Sequence, residues 1–146
     1  MVQSEASIEI AKSATDVFAY INDFSNAQSW LESCVQLSQT SSGARSPGAK
    51  LHYVYTQGGS SKEMEGFVSR YEEGTRLSLT FEDSQFEVTF DIELSPMPNA
   101  TTVKQTIGIS PKGLFGKIMS RMIAAGNQRQ VQNNLSRLKR QLESHA

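Results

Sequence analysis

Cysteine and histidine are scarce in this sequence. Of its 146 residues, Cys34 is the only cysteine, and His52 and His145 are the only histidines. A single cysteine cannot form an internal disulfide and is typical of a reducing compartment, so we expect a cytoplasmic location. Three such residues are too few for a zinc site, and Cys34 has no histidine at the spacing of a nucleophile and its base. Nucleotide-binding and nucleophile-elbow motifs are also absent, so we expect no metal and no cofactor.

Long hydrophobic runs are absent as well. No stretch of 18 apolar residues could span a membrane, and Met1–Glu5 shows neither the basic start nor the apolar segment of a signal peptide. Apolar residues make up 38% of the chain and charged residues 20%, as in soluble globular proteins. The length predicts one domain over residues 1–146, large enough to bury a substantial core.

The net charge of −1 conceals an excess of each sign in a different part of the chain. Residues 1–111 contain seven Lys/Arg and fourteen Asp/Glu, whereas residues 112–146 contain seven Lys/Arg and one Asp/Glu. A basic C-terminal helix lying on an acidic sheet is the simplest explanation. Attraction of an anionic ligand, anionic lipid or nucleic acid is the alternative. We expect no nucleic-acid partner, while peripheral membrane contact and a homodimer stay open.

The chain begins with a strand that leads directly into helices. Ile8 and Ile10 alternate with polar residues, which predicts a half-buried strand. Ser13, followed three residues later by Asp16, is a capping pattern that predicts a helix over residues 14–22. A second short helix is predicted over about residues 26–33, and it carries the only tryptophan, Trp30.

Six further strands follow, separated by turn-rich segments such as TSSGARSPGAK (residues 40–50) and QGGSS (57–61). The clearest is FEVTFDIEL (residues 86–94), in which apolar and polar residues alternate throughout. Such alternation predicts an antiparallel sheet with one dry face, and seven strands would curl strongly. Residues 62–71 can face either way, because both Met64/Val68 and Phe67/Tyr71 could point inward. Gln105 interrupts the dry face of the last strand.

A long helix over about residues 114–144 is predicted to cover the dry face. Its second half has one apolar stripe, and its first half has another on nearly the opposite side. The join falls at Gly126-Asn127, where we expect a kink. The alternative is a straight helix whose first half points its apolar residues away from the sheet. The stripe of the second half consists of Val131, Leu135, Leu138 and Leu142.

This order of elements resembles the helix-grip fold of the START/polyketide-cyclase (SRPBCC) superfamily, in its bacterial polyketide cyclase/dehydrase-like branch. The resemblance extends over nearly the whole chain and depends most on SIEIAKSATDVFAYINDFSNAQSW (residues 7–30), EGFVSRYEEGTRLSLTF (65–81) and ISPKGLFGKIMSRMIAAGNQRQVQNNLSRLKRQLES (109–144). It implies an α+β fold in which a curved seven-stranded antiparallel sheet wraps around a long C-terminal helix, with two short helices between strands 1 and 2. It also implies a deep apolar cavity between sheet and helix. Members of the superfamily bind lipids, sterols, polyketides or plant hormones, and some catalyse cyclisation, dehydration or hydrolysis.

The candidate ligand-binding residues follow from placing this cavity on the predicted elements. Trp30 is expected where the helix pair meets the cavity, and an inward Gln105 needs a hydrogen-bond partner that a ligand, a water or a neighbouring carbonyl could supply. Flexible methionines on the long helix suit varied apolar ligands. For every candidate, ordinary core packing is the alternative. The full set is Trp30, Tyr53, Tyr55, Phe81, Phe90, Gln105, Met119, Met122 and Ile123.

The leading functional hypothesis is binding of a small hydrophobic ligand, lipid or polyketide-like, in the internal cavity. One alternative is a polyketide cyclase/aromatase or dehydratase, in which Gln105 and the tyrosines steer proton transfers. Another is an interaction module whose basic helix or sheet edge contacts a protein or an anionic membrane. No catalytic residue is assigned from the sequence.

Overall fold

The computed structural model describes residues 2–113 and 120–144, except for the side chains of residues 120–125. Seven strands form one curved antiparallel sheet in the order β1-β7-β6-β5-β4-β3-β2. Strands β2 to β7 are sequential neighbours, and β1 lies at the edge beside β7, which confirms the predicted helix-grip architecture. The strands are β1 (Val2–Ile10), β2 (Cys34–Gln39), β3 (Lys50–Gln57), β4 (Ser60–Glu72), β5 (Arg76–Glu82), β6 (Phe86–Met97) and β7 (Ala100–Pro111).

Alternation of apolar and polar residues assigns the two faces of the sheet. In β6, Phe90, Ile92 and Leu94 are buried, whereas Asp91 and Glu93 form ion pairs on the outer face. Strand β1 is longer than its clearest alternating segment suggests, because residues from Val2 onward pair with β7. The dry face therefore continues across the first and last strands.

Strand β4 uses both of the facings that its sequence allows. Met64 and Val68 are buried, and Phe67 is 46% exposed. A bulge between Val68 and Arg70 then adds a residue to one strand of the pair, which reverses the facing of the residues after it. Tyr71 consequently packs on the core, with its ring edge-on to Phe18 at 5.7 Å between centroids.

Two short helices lie between β1 and β2. Helix α1 (Ala14–Asn22) begins as predicted, since the Ser13 hydroxyl accepts a hydrogen bond from the Asp16 amide at 3.2 Å. A 3₁₀ turn (Phe24–Asn26) leads into α2 (Ala27–Trp30), which is shorter than the predicted helix. It ends early because Leu31 is extended and Ser33 has a φ of +68°, a combination that turns the chain into β2.

Helix α3 (Ser120–Ser144) covers the dry face and packs mainly on β1, with further contacts to β7 and α2. Its buried stripe consists of Val131, Leu135, Leu138 and Leu142. The helix continues without a break through Gly126-Asn127. The predicted apolar stripe of the first half, on which the expected kink rests, lies outside the described side chains. Among the described residues, no helix is both long and apolar enough to cross a membrane.

Candidate ligand-binding cavity

A cavity of about 320 Å³ lies between the sheet and the first half of α3. Its walls come from the end of β3, the start of β6 and the end of β7, all of which present inner-face residues to it. The lining residues are Ser33, Tyr53, Tyr55, Thr56, Gln57, Met64, Phe86, Val88, Phe90, Ile107, Ile109, Gly126, Asn127 and Gln130. The cavity is therefore mainly apolar and aromatic, with several neutral polar groups.

An aromatic cluster forms one wall. The rings of Tyr53 and Tyr55 are stacked, with centroids 5.2 Å apart and planes at 16°. Phe90 meets Tyr53 edge-on at 5.9 Å, and Phe81 lies behind Tyr53 at 5.1 Å. Phe81 and Phe90 contact each other at 5.8 Å in an edge-on arrangement. Mutual ring contacts of this kind hold the wall in one orientation and leave flat apolar surface facing the cavity.

Burial raises the pKa of the Tyr53 and Tyr55 hydroxyls above that of a free phenol. Negative charge nearby raises each pKa further. It would come from Cys34 and Tyr55 beside Tyr53, and it comes from Asp83 beside Tyr55. Both phenols are therefore neutral at physiological pH. They can donate and accept hydrogen bonds, and they cannot supply a phenolate base at that pH.

Asn127 brings an amide to the helix side of the cavity. Its side chain is buried, at 2% exposure, and its Nδ2 donates a hydrogen bond to the Ile107 carbonyl at 2.8 Å. Its Oδ1 is buried and has no hydrogen-bond partner among the described residues. Because buried polar atoms are almost always paired, an orphan acceptor in a cavity wall is unusual.

Gln105 belongs to a separate buried chain of amides. The Glu32 amide donates to Asn134 Oδ1 at 2.7 Å, and Asn134 Nδ2 donates to Gln105 Oε1 at 3.1 Å. Gln105 is fully buried, and its Nε2 has no partner among the described residues. It faces inward as its place in the sequence indicates, but it is not among the residues that line the cavity. These hydrogen bonds tie the turn before β2 to α3 and β7.

The structure divides the sequence candidates between the cavity and the core. Tyr53, Tyr55 and Phe90 line the cavity, while Phe81 supports them from behind. Trp30 is 2% exposed and borders a separate void of about 10 Å³, too small for a ligand, so it packs in the core beside α2. Met119 lies outside the described residues, and so do the side chains of Met122 and Ile123.

Several lining residues have no counterpart among the sequence candidates, notably Phe86, Val88, Ile109 and Asn127. The first three lie on the predicted dry face. Alternation identifies that face, but it does not show which of its residues border a cavity and which are covered by the helix. Asn127 carried a usable signal. It lies four residues, about one turn, before Val131, the first residue of the predicted apolar stripe, so its amide was to be expected on the buried side of α3.

Among the described residues, no acidic or basic side chain lines this cavity, whether a carboxylate, histidine, lysine or arginine. His52 is on the outer face, where its Nδ1 is 2.7 Å from Glu65 Oε1 and its Nε2 is 3.6 Å from Glu63 Oε1; the hydrogen bond to Glu65 raises its pKa. Burial raises the pKa of Cys34 to about 11, so its thiol is protonated and weakly nucleophilic at neutral pH.

Known proteins share both the order of elements and the fold of this chain. The family model described as polyketide cyclase / dehydrase and lipid transport matches residues 1–143. The chain belongs to this family. Among curated proteins, no relative matches it.

Solved structures share this fold over nearly the whole chain. Protein TTHA0849 from Thermus thermophilus superposes with a TM-score of 0.80 at 14% identity, covering 99% of each chain. A START superfamily protein from Mycobacterium smegmatis gives 0.77 at 16% identity, also covering 99% of each chain. The Zhui aromatase/cyclase from Streptomyces sp. R1128 gives 0.80 at 10% identity, covering 97% of this chain and 93% of its own. At identities of 10–16%, these similarities show that the proteins share a fold. They do not show a shared function.

Proposed function

We propose that this protein binds one small apolar molecule in the cavity between the sheet and α3. The observation that carries the proposal is the 320 Å³ space itself, lined by six apolar side chains and two tyrosines. Natural ligand sites begin at roughly 300 Å³, so the volume is suited to one compact molecule. An apolar cavity of about 150 Å³ in another protein is already sufficient to bind benzene.

The chemistry of the walls supports an aromatic or otherwise flat ligand. Phe86, Phe90 and the stacked pair Tyr53/Tyr55 surround the space with ring faces and edges. Aromatic pairs gain about 0.5–1.5 kcal/mol beyond the burial of their area, and a flat ligand can form such pairs with several walls at once. Neutral hydroxyl and amide groups among the rings can orient the ligand without requiring it to be charged.

The family description also names cyclases and dehydrases. Among the described lining residues, the hydroxyl and amide groups that such a reaction could use are chiefly those of Tyr53, Tyr55 and Asn127. Ligand binding is common to both functions. It is therefore the function to test first.

Filling the cavity tests the proposal directly. Val88→Phe adds a ring to a half-buried lining position, and we expect it to reduce binding of 2-methylnaphthalene at least tenfold, because the probe and the new ring need the same space. Equilibrium dialysis against the purified protein measures the affinity. Circular dichroism verifies that the variant is folded.

The matched control makes the same change elsewhere. Val35→Phe introduces a ring at a position of β2 that is 44% exposed and outside the lining, and it should leave the affinity unchanged. Absence of any binding by the wild-type protein would contradict the proposal. So would equal binding by the folded Val88→Phe variant.

A further inference from the structure

We infer that the preferred ligand carries a hydroxyl or N–H group that donates a hydrogen bond to Asn127 Oδ1. The inference rests on the proposed binding function and specifies the chemistry of its ligand: an apolar body with one neutral donor, such as an aromatic alcohol or amine. The juxtaposition behind it is a buried, unpaired amide oxygen in the wall of an aromatic cavity.

The orientation of the Asn127 amide is fixed by its other end. Nδ2 donates to the Ile107 carbonyl at 2.8 Å. Exchanging the nitrogen and oxygen would place two acceptors against each other, so the network assigns Oδ1 to the opposite side. Ile107 is itself a lining residue on β7, and the hydrogen bond therefore anchors the amide to the cavity wall.

The acceptor is available because nothing described in the protein uses it. Asn127 is 2% exposed, and its Oδ1 is buried with no partner among the described residues. Gln105 Nε2 is the other buried amide atom without a partner among those residues, but Gln105 is outside the lining and its Oε1 is held by Asn134. Asn127 is therefore the residue of the described lining that carries an unpaired buried amide oxygen, which a ligand donor reaches once the neighbouring atoms that shield it shift.

The chemistry of this atom selects among ligands. An amide oxygen accepts and cannot donate, so it favours a hydroxyl or N–H group and disfavours an ether oxygen or a carboxylate at the same place. The described lining contains no cationic side chain to offset a ligand carboxylate. A site with a buried acceptor discriminates strongly against an analogue that lacks the donor, because the acceptor then stays unpaired.

A cycle of two ligands and two proteins tests the inference. The probes are 2-naphthol and 2-methylnaphthalene, which differ by a hydroxyl in place of a methyl group of similar size. We expect Asn127→Leu to weaken the binding of 2-naphthol at least tenfold more than the binding of 2-methylnaphthalene. This ratio corresponds to a coupling energy of about 1.4 kcal/mol between the ligand hydroxyl and Asn127. Asn133→Leu is the matched control on the same helix, since Asn133 is exposed and bonds to Glu32 instead. It should leave the ratio of the two affinities unchanged.

The outcomes separate the inference from the function on which it rests. If neither probe binds the wild-type protein, both are overturned. Suppose that both probes bind and that the ratio of their affinities is the same in Asn127→Leu as in the wild-type protein, or that it falls equally in Asn133→Leu. The inference is then overturned, and the binding function stands. A second measurement needs no variant: 2-naphthol should shift the side-chain amide resonance of Asn127 in the wild-type protein more than 2-methylnaphthalene does. Equal shifts would overturn the inference.

Discussion

Asp91 on the outer face of β6 is held by a cation and a hydroxyl. Arg76 approaches it with two nitrogens, Nε at 3.1 Å from Oδ1 and Nη2 at 2.8 Å from Oδ2, and the Ser78 hydroxyl donates to Oδ1. Burial alone raises the pKa of this carboxyl. The hydrogen bonds from Arg76 and Ser78, together with the positive charges of Arg76 and Arg70, outweigh burial and hold the pKa below its usual range.

A carboxyl with a lowered pKa stabilises the fold only while it is ionised. Its contribution is present above the unfolded pKa, about 3.9, and is lost as the pH falls through the folded value. We therefore expect Asp91→Asn to lower the free energy of unfolding by about 1–3 kcal/mol at pH 7. The deficit should shrink as the pH falls from 7 toward 3. Urea denaturation at several pH values measures it.

The control for Asp91 is another carboxylate-to-amide change on the outer face of the same strand. Glu87→Gln should alter the stability at pH 7 by no more than about 0.5 kcal/mol, as is usual for surface changes. An Asp91→Asn deficit that stayed constant from pH 7 to pH 3 would contradict the assignment of the stabilisation to the ionised carboxyl.

At the scale of elements, the contact between β4 and β5 depends on a glycine. A Cβ at Gly66 would collide with the Thr80 carbonyl and with the Phe81 ring. Because one obstacle is backbone, the two strands would have to move apart. We expect Gly66→Ala to destabilise the protein by about 1–3 kcal/mol in thermal or urea unfolding.

The same substitution at a glycine in α3 should change the stability in the opposite direction. Gly126 lies in a helix, and a Cβ there meets no heavy atom within 4 Å. Gly126→Ala should therefore stabilise the protein by about 0.5–1 kcal/mol, because alanine loses less backbone entropy than glycine on folding. Equal effects of the two substitutions would show that glycine content, rather than the close approach at Gly66, is responsible.

At the scale of the whole molecule, a ligand in the cavity should stabilise the entire fold, because it binds the folded chain alone. At a free concentration of 100 times its dissociation constant, 2-methylnaphthalene should add about 2.7 kcal/mol to the free energy of unfolding. For a chain of this size, each kcal/mol raises Tm by roughly 2–4 °C or slightly more. Far-UV circular dichroism follows the unfolding, because the naphthalene ring of the probe fluoresces in the same range as Trp30.

This stabilisation should disappear in Val88→Phe and persist in Val35→Phe. A rise in Tm that was equal in both variants would mean that the probe stabilises the protein from another site.

More of the architecture than of the site could be predicted, because the sequence patterns that indicate strands and helices involve neighbouring residues. Alternation in β6 identified which residues face inward, and Ser13 marked the start of α1. The facing of β4 could not be predicted, since a bulge after Val68 depends on the pairing with β5. Among the site residues, Tyr53, Tyr55 and Phe90 line the cavity, whereas Trp30, equally aromatic, packs in the core. Both environments favour large apolar side chains, and residue type does not distinguish them.

By itself, the sequence determined the strands, their dry face and the buried stripe of the C-terminal helix, because period-2 and period-3.6 patterns are properties of neighbouring residues. The family followed from the resemblance of the whole order of elements to known proteins. Only the tertiary structure decided which inner residues stay uncovered. Helix α3 lies mainly over β1, so space remains between its first half and the inner side chains of β3 and β6. The orphan oxygen of Asn127 results from the same placement. Its unpaired state depends on what lies opposite it across the fold, which no local pattern encodes.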